Sequence, residues 1–133
     1  MTDAVAQAML LPQAIPEIGH FALLLCLPVA ALLALMPAVG VRQQSLQLMA
    51  SANRLALILW LCLALAFVCL AYAFSVDDFS LALVAQHSNT ALPMRYKLSA
   101  VWGNHEGSLL LWVLILASWT LAVAYSRQQL PPA

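Results

Sequence analysis

The side chains best suited to chemistry in this chain are three imidazoles, His20, His87 and His105. A neutral imidazole can ligate haem iron or another metal, and His105 lies within three residues of an indole, Trp102, that can stack on a flat ring. Trp102 and His105 are therefore the candidate cofactor-binding residues, with Glu106 beside them. Against this stands the plainer role of an imidazole at a wet boundary, which is to hydrogen-bond water. Cys26, Cys62 and Cys69 show neither a C-x-x-C nor a paired zinc spacing and read as small apolar residues. Trp60, Phe67 and Phe74 recur every seven residues, as do Trp112 and Trp119, a spacing that suits helix packing and interfacial anchoring more than cofactor stacking. No nucleophile, base and orienter set appears, and there is no glycine-rich phosphate loop, so no catalytic residue and no metal site is assigned.

The elements that must position these groups follow from composition. Of 133 residues, 65% are hydrophobic and 8% charged, with zero formal net charge and a mean hydropathy of +0.94. A soluble domain carries about 25% charged residues. These values exclude a soluble enzyme and a disordered chain, and the charge balance offers nothing to nucleic acid. Three charge-free runs remain, Phe21–Val41, Leu55–Val76 and Gly107–Ser126. Each has about 20 residues, enough to cross a hydrocarbon core of roughly 30 Å as a helix that satisfies its own backbone. The expected fold is all-α and integral to the membrane. It comprises one unit over residues 1–133, with helices at about 17–40, 55–75 and 107–126 and a longer periplasmic loop at about 77–106. No ionisable group interrupts a span, which argues against transport by this chain alone.

Local signals refine the outline. Pro16 and Glu17 suit a first helical turn, Pro37 and Gly40 a far end, and Pro28 a kink. Ala30, Ala34 and Ala38 form a small-residue row through which helices could approach closely, and Ser118 with Ala122 forms a shorter one. Asn104 is placed to cap the third helix, with Glu106 near its positive end. Within the loop, Phe79, Leu81 and Leu83 alternate as in a short strand or a surface-lying segment, and Tyr96–Trp102 is amphipathic enough to lie along the membrane surface. Arg42, Arg54 and Arg127 sit close to helix ends on one side, which places both termini by the positive-inside bias: N-terminus periplasmic, C-terminus cytoplasmic. That orientation puts all three histidines, Trp102 and Glu106 in one compartment. Residues 1–16 lack the basic start of a cleavable signal peptide, so the first helix is expected to persist.

The run V-A-Q-H-S-N-T-A-L-P-M-R-Y-K-L-S-A-V-W-G-N-H-E-G-S-L-L-L-W-V-L-I-L, Val84 to Leu116, closely resembles the N-terminal region of CcmF/NrfE-type cytochrome c biogenesis proteins, the membrane subunits of the bacterial haem lyase. I-P-E-I-G-H-F-A-L (Ile15–Leu23) and Y-A-F-S-V-D-D-F-S (Tyr72–Ser80) resemble the same family in the right order. The resemblance implies a multi-pass protein of the bacterial inner membrane that helps deliver haem to apocytochrome c. Implied partners are a periplasmic haem chaperone, thiol-handling lyase subunits, the apocytochrome and membrane lipid. Family members are several times longer, and their tryptophan-rich W-G-x-x-W-x-W-D segment and haem-ligating histidines lie beyond the matched portion. No family haem ligand therefore transfers to a position here. The implied role is scaffold and part of the periplasmic face, with haem handled mainly elsewhere. The competing expectation from the residues alone is a small non-enzymatic three-helix membrane protein, a complex subunit or homo-oligomeric pore without haem.

Overall fold

In a computed structural model of the chain, the structure describes the backbone of residues 2–126 and the side chains of residues 14–126. Arg127, Pro131, Pro132 and Ala133 lie outside the described residues. Five helices follow in order: α1 (Thr2–Gln43), α2 (Leu46–Ser75), α3 (Ala82–His87), α4 (Met94–Gly103) and α5 (His105–Ser126). Three segments are long and apolar enough to cross a membrane: Ala14–Gln43, Leu46–Ser75 and His105–Ser126. At 1.5 Å per residue the first two reach about 45 Å and the third about 33 Å. The first two therefore exceed a hydrocarbon core of roughly 30 Å and must tilt or project from it, whereas α5 barely spans it. The alternation at Phe79–Leu83 does not make a strand. A turn there leads into α3, and among the described residues no second strand is available to take up the ladder bonds.

The hub of the fold is α2, on which α1, α4 and α5 all pack. Its buried positions are mostly small, Ala56, Ala66, Cys69 and Ala73 with Leu63 among them, and α1 answers with Gly19, Ala22, Cys26 and Gly40. Lipid is as apolar as leucine, so helices in a membrane gain by close backbone approach and not by hiding hydrocarbon from water. Two contacts show how close that approach is. A Cβ on Gly19 would stand 2.9 Å from Cys69 Cβ, and one on Gly40 would stand 2.9 Å from Leu48 Cβ. The row Ala30, Ala34 and Ala38 is not the seam; all three are exposed, because the buried stripe of α1 runs through Gly19, Ala22 and Cys26 to Gly40 on another face. On the other side of α2, Trp60 Nε1 donates to Ser118 Oγ at 2.8 Å, and that hydroxyl donates on to Leu114 O. An indole N–H in hydrocarbon needs such a partner.

Helix ends depart from the sequence reading at both ends of α1 and at the start of α2, which begins at Leu46 and not near residue 55. Pro16 and Glu17 do not start a helix, since α1 begins at Thr2 and runs through Pro16, Pro28 and Pro37. Gly40 lies a turn before the end of α1 and serves the contact with α2. Both ends that flank α2 close in the same way. Ser45 N–H bonds to Gly40 O at 3.0 Å and Asp78 N–H to Ala73 O at 3.0 Å, with Gln44 (φ 51°) and Asp77 (φ 54°) in the left-handed region. This is the Schellman closure, which satisfies carbonyls that the helix leaves open.

Candidate functional site

The connection 76–104 folds into a cap over one end of the bundle. Its centre is Phe74, Val84 and Val101, each at most 1% exposed, with Leu81 and Leu83 packed around them. A partly buried ion pair fastens it. Lys97, on the inner face of α4, donates through Nζ to Asp77 Oδ2, and Ser88 Oγ donates to Asp77 Oδ1 at 3.1 Å. The hydrogen bond from Lys97 holds the Asp77 carboxyl below the usual aspartate range, and Ser88 adds to the effect. These contacts join the end of α2, the end of α3 and the middle of α4.

The W-G-N-H-E-G turn is where the cap meets the third span. Asn104, only 5% exposed, works in both directions. Its Nδ2 donates to Ala100 O at 2.7 Å at the end of α4, and its Oδ1 accepts from Gly107 N–H at 2.6 Å in the first turn of α5. The expected cap is thus present, with Glu106 in the first turn, where its charge meets the positive end of the helix. The turn is tight enough to require one of its two glycines. A Cβ on Gly107 would fall 1.7 Å from Val101 O, whereas one on Gly103 would meet nothing within 4 Å.

The candidate chemical groups are distributed unevenly around this cap. His20 from α1 and Glu106 from α5 line one cavity of about 210 Å³, floored by Ala66 and Cys69 of α2. His20 also borders an adjoining cavity with Glu17. His87 lies apart, its Nδ1 3.0 Å from Leu83 O. Trp102 is 48% exposed and His105 is exposed, and neither lines the cavity that holds His20 and Glu106. Among the described residues no group of three or more His, Cys, Asp and Glu is placed to hold a metal ion. As a fit for haem, the side chains around His105 offer one imidazole and one indole on an open surface and no enclosure. The cavity shared by His20 and Glu106 is smaller than the roughly 300–1,000 Å³ of ordinary cofactor pockets, and the adjoining one at His20, of about 530 Å³, is a shallow, open surface. The described residues do not by themselves fit a haem. The Lys97–Asp77 pair and the cavity shared by His20 and Glu106 escaped sequence reasoning, since nothing in a spacing of 20 or 86 residues announces such proximity. The demand on Gly107 was readable in principle, as it stands three residues after a capping Asn.

No protein-family model matches the chain, and no solved structure matches it. Curated relatives do. The chain is 53% identical over 117 residues to the cytochrome c-type biogenesis protein CcmF of Pseudomonas aeruginosa, covering 88% of this chain and 18% of that protein. It is 47% identical over 116 residues to CcmF of Escherichia coli (87% and 18%) and 44% identical over 115 residues to NrfE of Haemophilus influenzae (86% and 18%). The chain thus spans less than a fifth of the length of these relatives. With three membrane-crossing helices, a capped turn at W-G-N-H-E-G and this level of identity, the chain belongs with the CcmF/NrfE-type cytochrome c biogenesis proteins, corresponding to their N-terminal portion.

Proposed function

We propose that this chain forms the membrane foundation and part of the periplasmic face of a haem-lyase subunit in cytochrome c maturation. The observation that carries this is the 53% identity to CcmF over 88% of the chain. The structure supports a scaffolding part in particular. Its most specific sequence, W-G-N-H-E-G, is spent on a tight joint between α4 and α5, with Asn104 and Gly107 buried and Trp102 and His105 left facing outward. A haem approaching His105 and Trp102 would be enclosed on one side only, so the rest of its pocket belongs to other parts of the assembly. The periplasmic haem chaperone, the thiol-handling subunits and the apocytochrome are the partners this reading assigns. The arginines at 42 and 54 favour a cytoplasmic position for the α1–α2 turn, and hence a periplasmic cap in the bacterial inner membrane.

Two measurements test the proposal. A His105→Cys variant in intact cells is expected to react with a membrane-impermeant maleimide from the periplasmic side; reaction only after lysis would overturn the orientation. Affinity capture of the chain is expected to bring down cytochrome c maturation components. A discrete homo-oligomer indifferent to them would favour the small-membrane-protein alternative instead.

A further inference from the structure

The cavity shared by His20 and Glu106 opens between α1 and α5, and its chemistry is distinct from that of the outward-facing Trp102 and His105. Its walls below the two polar groups are apolar, with Leu23, Leu70 and Leu110 from three different helices. Cys69 on its floor is six residues from the end of α2, about 9 Å below that end, the depth at which headgroups give way to acyl chains. The charge around it has one sign. Glu106 lines the cavity, Glu17 lines the adjoining one across His20, and no Lys or Arg lines either. Among the described residues the only ion pair is Lys97–Asp77, so the Glu106 carboxylate is uncompensated except by the dipole of its own helix.

From this we infer that the groove binds the headgroup of an ethanolamine phospholipid, its ammonium on Glu106 and an acyl chain along Leu23 and Leu110. A primary ammonium supplies both charge and N–H donors to a carboxylate, whereas choline supplies charge alone and a phosphatidylglycerol headgroup supplies neither. His20, a donor in one tautomer and an acceptor in the other, faces the phosphate or its glycerol linkage. The inference does not depend on the haem-lyase reading, because it uses only the cavity and its charges.

The test is native mass spectrometry of the purified protein after exchange into equimolar phosphatidylethanolamine, phosphatidylcholine and phosphatidylglycerol of matched chains. The expected result is retention of the ethanolamine lipid about tenfold above the other two, as one charge-assisted hydrogen bond provides. Glu106→Gln, which preserves the Asn104 cap, should bring it down to the choline level, and His20→Gln should weaken retention without reordering the three. Equal retention of ethanolamine and choline lipids by the unmodified protein, preference for phosphatidylglycerol, or an unchanged ranking in a folded Glu106→Gln variant would each overturn the proposal.

Discussion

The two connections that flank α2 begin identically and then diverge. Each closes its helix with a six-to-one backbone bond and places a non-glycine residue, Gln44 or Asp77, at positive φ. Past Gln44, one further residue leads directly into α2, and the exposed Gln44 makes no side-chain bond among the described residues; the fit there is achieved by Gly40 against Leu48 and Met49. Past Asp77, the chain builds a cap of two short helices held by side chains, with Asp77 itself the acceptor for Lys97 and Ser88. The difference teaches where specificity resides. A short turn between membrane helices is fixed by backbone and close packing, whereas a long one at the membrane surface needs a small core and an ion pair of its own.

The largest effect should come from the exit of the long connection. Gly107→Ala drives a methyl into Val101 O and should cost about 3 kcal/mol or more, while Gly103→Ala in the same motif should change stability by well under 1 kcal/mol. Denaturation in mixed micelles by sodium dodecyl sulfate, followed by tryptophan fluorescence, compares the two, and equal effects would break the account of the joint. Next is Asn104→Ala, which removes a cap and leaves the Ala100 carbonyl and the buried Gly107 N–H without their partner. A loss of about 2 kcal/mol is expected on the same assay. Gly40→Val tests the short connection and should cost about 1–3 kcal/mol through α1–α2 packing, with the cap left intact by proteolysis.

Acid should act on one connection alone. Because the folded Asp77 titrates below its unfolded value of about 3.9, its contribution is fully present above that value and fades as pH falls through the lowered one. Hydrogen exchange at low pH should therefore open α4 amides before those of the α1–α2 turn, and Asp77→Asn should bring the same early opening at neutral pH and remove its pH dependence. The smallest effect belongs to Gln44→Gly, which relieves left-handed strain at an exposed site and should raise stability by less than about 1 kcal/mol, read from the same fluorescence midpoint. The same change at Asp77 should lower it, because there the side chain matters more than the strain.

The three spans and the Asn104 cap were legible in the sequence because each rests on local properties, an uninterrupted apolar run and a capping residue three positions before a glycine. The seam between α1 and α2 was not. In a chain so rich in alanine the row Ala30, Ala34 and Ala38 is as conspicuous as any, and only the placement of α2 shows that Gly19 and Gly40 bear the contact. Those two glycines are 21 residues apart, three heptads, a regularity that singles them out once glycine is weighed above alanine. For the candidate site, the shared end of His20 and Glu106 followed from the order of the spans, but their common cavity depends on how α1 and α5 flank α2, which no local pattern encodes.

The brevity of the α1–α2 turn bears on how the protein is made. Contacts close in sequence form before distant ones, because less loop entropy opposes them. Two long helices joined by Gln44 and Ser45, and touching near both ends, form a hairpin whose partners meet as soon as the second has left the ribosome. The third span arrives later, after the cap has been synthesised, and finds its place by the Trp60–Ser118 bond and the Asn104 joint. Assembly of these three spans thus proceeds from a preformed pair to which a helix is added, leaving the outward Trp112 and Trp119 of α5, each about two-thirds exposed, to be covered by lipid or neighbouring helices.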